Sequence, residues 1–204
     1  NSSYNTTFTG NVLNVNGAGI EAYSGDSLEV ANNNVTGFRD YGIRFNSTGS
    51  SSVHGNSLVS TPNGESDNYG IWNDNTSSQG NAVHDNFIHF LNADNDVEGI
   101  RVSNVDVHDN TIIIENGGSG NYGVRGDKNT VFNNSITLNA NSSSYAVYNS
   151  NTYGSKEIYS NQIEISGASG IKGNLLHIHD NTMTGSGSIG IDIIGYMEET
   201  TVIE

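Results

Sequence analysis

Four of the seven cationic residues in this 204-residue chain recur at one position of a repeating pattern. Arg44, Arg101, Arg125 and Lys172 each follow a small residue and then a β-branched one, as in Gly99-Ile100-Arg101. Trp72 and Tyr148 hold the same position elsewhere, with Glu21 and Asp192 at the first and last occurrences. A guanidinium is a planar fork that pairs with a carboxylate through two parallel N–H donors. An aromatic face offers a stacking platform for a sugar ring. Arg44, Trp72, Arg101, Arg125, Tyr148 and Lys172 together therefore suit an acidic polysaccharide. They equally suit the acidic flank of a neighbouring copy, or form a solvated face whose long side chains cover sheet surface.

Two other groupings could hold metal. His54, His84, His108 and His179 each stand two residues before a recurring Asn, and imidazoles one repeat apart can share a transition ion. Thr9, Ala31, Phe132 and Tyr159 take that place in other repeats, which favours a solvated ladder. His177 and His179 add a His-x-His spacing. Asp94, Asp96 and Glu98 put carboxylates at alternate positions, a loose match to Ca²⁺ without the length or Gly of an EF-hand loop. Glu65, Asp67 and Glu115 would share their flank if the loops stack. The chain names no catalytic residue, because paired acids need a defined separation that spacing alone does not give.

These positions are set by two interleaved repeats. The first is an apolar residue, two variable residues, Asn, one variable residue and an apolar residue. Its Asn residues are Asn11, Asn33, Asn56, Asn86, Asn110, Asn134, Asn161 and Asn181, spaced by 22, 23, 30, 24, 24, 27 and 20. The second is the small-then-β-branched pair, from Gly19-Ile20 to Gly190-Ile191. Periods of this length mean a solenoid. Apolar residues alternate within each repeat, the period of a strand. Stacked coils would place like residues about 4.8 Å apart. One inward column then runs from Phe8 through Val30, Val53 and Val83 to Val202, and another runs from Leu13 to Met183. The Asn column marks a bend, where its left-handed tolerance and amide bonding suit a structural role. Tyr41, Tyr69, Tyr122 and Tyr145 precede their Gly or Ala and should stack as a ladder. The expected fold is an all-β, right-handed parallel β-helix of eight to nine coils in one domain, residues 1–204.

A net charge of −15 argues against nucleic-acid binding. The chain has no Cys for a disulfide framework, and no apolar run long enough to enter a membrane. N-x-Ser/Thr sequons at Asn1, Asn5, Asn34, Asn46, Asn75, Asn133 and Asn141 suit glycosylation of an extracellular or cell-surface protein. The start at Asn1, with no leader, fits a mature secreted product or an excised fragment. Neither end reads as a capping element. Phe8 at one end, with Val202 and Ile203 at the other, would therefore be assembly positions for coils stacking between copies.

The repeat resembles that of NosD-like and pectate-lyase-like parallel β-helices over roughly residues 6 to 204. That superfamily implies the fold and leaves the function open among lyases, hydrolases, epimerases, tailspikes and surface-layer proteins. Of the polygalacturonase-like signatures, only His54-Gly55 matches, and it lies inside the repeat. The Asp-Pro-His-Glu signature of alginate epimerases is absent, the one Pro being Pro62. Pectate lyases pair a Ca²⁺ cluster with an Arg, a place that Arg101 could fill. The sequence favours an extracellular structural protein of a surface layer, sheath or filament that assembles with itself. The alternative is a polysaccharide-binding or polysaccharide-degrading β-helix.

Overall fold

The computed structural model describes residues 5–24, 27–47, 50–62, 68–73, 80–150, 156–174, 176–193 and 202–203. Asn1, Asn75, Glu65 and Asp67 lie outside them. Twenty-five strands follow one another, and every third strand returns to the same sheet. Three parallel sheets result, with nine strands in sheet A and eight each in sheets B and C. This is the parallel β-solenoid expected. Eight stacked strands bound seven complete turns, so the coil count is about seven rather than eight to nine.

The corner from sheet A to sheet B always takes two residues, the second being the repeated Asn. The first adopts a left-handed backbone: Gly10, Asn32, Gly55, Asp85, Asp109, Asn133, Ser160 and Asp180 have φ between 54° and 69°. The left-handed turn expected of the repeated Asn is thus supplied by the residue before it. The Asn itself bonds the coils together. Asn110 Nδ2 donates to the carbonyls of Val83 and His108 at 2.9 Å and to Asn134 Oδ1 at 3.0 Å. Its own Oδ1 accepts from the amide and side chain of Asn86. The same pattern runs from Asn11 to Asn181, satisfying backbone groups that the corner would otherwise bury unpaired.

The core is a narrow channel lined by the inward columns of all three sheets. Val83, Val107 and Val131 of sheet A, Ile88, Ile112 and Ile136 of sheet B, and Ile71, Ile100 and Val124 of sheet C are all buried. Phe8 and Leu13 are partly buried against it. Sheet C takes Gly, or Ala at Ala146, in the column before its inward Ile or Val because the next coil's backbone and the side chains of sheet B press on it. A Cβ at Gly99 would lie 2.6 Å from both Gly123 O and Ile112 Cγ2. At the far end of sheet A, Val202 stands opposite His177 and Ile203 opposite Ile178. Ile203, not Val202, therefore continues the register of the inward column, and a slip of one residue exchanges the two faces. No helix of the described residues is long and apolar enough to cross a membrane.

Candidate functional site

The outer face of sheet C carries the cationic and aromatic stripe in unbroken register. Glu21, Arg44, Trp72, Arg101, Arg125, Tyr148, Lys172 and Asp192 are each paired with the next, coil by coil. A second column lies three residues earlier in each strand, so the small residue between the two, such as Gly99, interrupts the alternation of the pleat and lets both columns meet on one face. It reads Tyr41, Tyr69, Glu98, Tyr122, Tyr145 and Ser169. The expected tyrosine ladder exists, with Glu98 standing in the middle of it.

The two columns interlock through rings and cations. Arg44 lies over Trp72 at 4.4 Å, Arg125 over Tyr122 at 4.6 Å, and Lys172 Nζ over Tyr145 at 4.6 Å. Each such contact is worth about 0.5–1 kcal/mol at an exposed site. Trp72 also tilts against Tyr69 at 4.8 Å, and Tyr148 sits 5.7 Å from Tyr122.

Every cation of the stripe has a carboxylate close by. Arg44 pairs with Glu21 at 3.2 Å and Lys172 with Asp192 at 3.1 Å. Arg125 and Arg101 share Glu98 Oε1, at 2.8 and 3.5 Å, and Arg101 also donates to Tyr69 Oη at 3.0 Å. The stripe is therefore less positive than its residue types suggested. At its centre two guanidiniums share one carboxylate. Burial works against the charge of Arg125, but Glu98 together with Tyr122 and Tyr148 outweighs it and the guanidinium is held above its ordinary value. Burial also pushes the Tyr122 and Tyr41 phenols up. Lys172 is raised chiefly by its bond to Tyr145 Oη, against some desolvation, with Asp192 adding to it.

An open groove of about 450 Å³ follows this centre, between Trp72 and Tyr148. Arg101 and Arg125 line it, and Ser103, Asp127 and Ser150 add hydrogen-bonding groups.

The other expected sites fare differently. Asp94, Asp96 and Glu98 do not converge on a common point. Glu98 is 2 % exposed under the arginines, and the one group of three metal-ligating side chains gathered among the described residues is Glu157, His177 and His179. A strand geometry explains this: Glu98 lies within Val97–Arg101, whereas Asp94 and Asp96 belong to the preceding loop. The Ca²⁺ cluster beside Arg101 that a pectate-lyase-like site would need is not assembled from these residues. The two long loops that are described throughout do stack, Ala93 N donating to Glu115 O at 2.7 Å and Asp96 N to Ser119 O at 2.9 Å. Among the sequons, Asn5, Asn34, Asn133 and Asn141 are exposed and Asn46 is half-buried.

The histidine column holds more than histidines. His54, His84, His108, Phe132, Tyr159 and His179 form one continuous stack on sheet A, with ring centroids 4.7–5.0 Å apart and planes within 13°. The sequence signal was ring shape rather than imidazole chemistry, since Phe132 and Tyr159 occupy the same place. No protein-family model matches the chain, and neither a curated protein nor a solved structure does.

Proposed function

We propose that this protein is an extracellular β-solenoid that binds a polysaccharide along the outer face of sheet C. One observation carries the reading: Trp72 and Tyr148 bracket Arg101 and Arg125 on four successive coils, over a groove that Asp127, Ser103 and Ser150 also line. Coils rise by about 4.8 Å, comparable with the length of a pyranose ring. The rings then stack on sugar faces while the polar groups meet hydroxyls. The two guanidiniums that line the groove supply forked donors for a sugar carboxylate between them. The resemblance of the repeat to NosD-like and pectate-lyase-like β-helices supports the same substrate class, and the exposed sequons support a place at the cell surface.

The test is a titration with polygalacturonate and with neutral dextran as a comparison. Trp72→Ala and Arg101→Ala should each weaken polygalacturonate binding by about tenfold, or about 1.4 kcal/mol. Thr137→Ala on sheet B should leave it unchanged. Equal binding by all four proteins would refute the site.

A second reading, a surface layer, sheath or filament built by coils stacking between copies, is favoured by the in-register ladders. Ladders such as the Asn column could propagate across a boundary between copies. Light scattering and electron microscopy decide it. Long particles that shorten on Ile203→Asp would support this assembly through the register of Phe8 and Ile203, and a discrete monomer would end it.

A further inference from the structure

Sheet A carries a grouping that the polysaccharide reading does not use. The strand Leu176–His179 places His177 and His179 two residues apart, hence on one face of the sheet. The preceding coil contributes Glu157, from the strand Lys156–Tyr159, directly opposite His177. Each of the three side chains offers a ligand atom within 4.8 Å of the other two. His177 Nδ1 is 3.7 Å from Glu157 Oε1, and the two imidazole centroids are 4.5 Å apart. Bonds of about 2.0–2.1 Å to a tetrahedral ion put neighbouring ligand atoms about 3.3–3.4 Å apart. The His177–Glu157 pair is a few tenths of an ångström from that spacing, and the other pairs, within 4.8 Å, close by at most about 1.5 Å through rotation of partly exposed side chains.

A second layer already orients one of these ligands. His179 Nδ1 is 2.9 Å from Asp180 Oδ2, and its ring is stacked on Tyr159 at 5.0 Å with planes 2° apart. A proton on Nδ1, donated to Asp180, leaves the lone pair of Nε2 available. Metal-binding histidines are held in this way, the carboxylate fixing both tautomer and ring plane. His84 and His108 have equivalent Asp partners at 2.7 Å, yet among the described residues neither gathers two further ligands. What sets His179 apart is His177 on its own strand and Glu157 one coil away.

We propose that Glu157, His177 and His179 bind one divalent transition ion, with water completing a four-coordinate shell. Two imidazoles and one carboxylate form a donor set for zinc, copper or nickel rather than for the all-oxygen shells of Ca²⁺ and Mg²⁺. The ion would clasp two successive coils across the outer face of sheet A. Any ligand that binds only the folded state adds to its stability, so the clasp has a thermal readout as well as a binding one.

Zn²⁺ is the probe. The full chain, stripped with chelator and titrated with zinc chloride by calorimetry near neutral pH, should bind one equivalent. His177→Ala and His179→Ala should each weaken that binding by at least about tenfold. Glu157→Gln should weaken it less, and His84→Ala should leave it unchanged. Zinc should raise the melting temperature of the parent chain and not that of His177→Ala. Co²⁺ in place of Zn²⁺ should give the intense visible bands of a four-coordinate site, a readout independent of stability. His177 is partly exposed, so its replacement should leave the fold intact, as circular dichroism would verify. Absence of zinc binding would overturn the proposal. So would binding that survives His177→Ala, or that is lost on His84→Ala instead.

Discussion

Asn110 touches three coils with one side chain, and its loss should be felt in all of them. Replacing it with Ala removes the acceptor of the Asn86 amide and side chain, and the donor to Val83 and His108 carbonyls. Each buried group left unpaired costs about 1–3 kcal/mol. Asn110→Ala should therefore lower unfolding stability by about 3 kcal/mol or more in urea denaturation. Asn11 belongs to the same column but is exposed, and Asn11→Ala leaves Asn33 Oδ1 still accepting from the Asn11 amide. That variant should lose less than about 1 kcal/mol. Equal losses would mean that burial of the ladder is not what gives it strength. The Asn column was legible from spacing alone, because nothing else recurs so strictly. The left-handed position beside it was not read, although Gly, Asn, Asp and Ser fill all eight places there, the residue types that tolerate such a backbone or bond locally within it. Four residue types spread over eight places hide a shared conformation that one invariant residue would show.

At the scale of the strand, the small residues of sheet C obey a steric rule that can be tested within one column. Gly99→Ala would drive a Cβ to 2.6 Å from a carbonyl oxygen and from the Ile112 side chain, an overpacking that costs about 1–3 kcal/mol. Gly190 has nothing within 4 Å of the same position, so Gly190→Ala should be neutral or slightly stabilising. Thermal melts of the two variants separate the explanations: similar melting temperatures would show that backbone freedom, not close approach, selects Gly here. Columns were the most readable part of this molecule, because parallel in-register stacking turns sequence spacing directly into neighbours. Glu98 shows where that reading stopped. It precedes Gly99 as Tyr69 precedes Gly70, so its place in the tyrosine ladder was available from the repeat. Its spacing from Asp94 and Asp96 suggested a loop ligand instead, and only the start of the strand at Val97 separates them. The ring stack on sheet A was missed for a related reason. Histidines were weighed as metal ligands, while the property shared with Phe132 and Tyr159 is a flat face at the rung spacing.

For the whole molecule, the balance of charge opposes the solenoid that the columns build. Twenty-two acidic residues face seven basic ones, and four of the seven are committed to the sheet C stripe beside Glu21, Glu98 and Asp192. A thin rod keeps most of its charges at the surface, where they interact through water and over a screening length of about 30 Å at 0.01 M salt and 10 Å at 0.1 M. Raising salt across that range weakens the repulsion among carboxylates that outnumber the basic residues 22 to seven. It also weakens a few exposed pairs such as Arg44–Glu21, each worth at most about 1 kcal/mol. The buried Glu98 pair is screened much less, because its carboxylate is withdrawn from solvent. The sum favours repulsion, so the melting temperature should rise with sodium chloride over this range. Glu98→Gln supplies the internal contrast. It removes one negative charge but strands two guanidiniums over a buried site, and should destabilise at every salt concentration. A melting temperature that falls with added salt would show the opposite balance, with the ion pairs of sheet C outweighing the repulsion of the remaining surface.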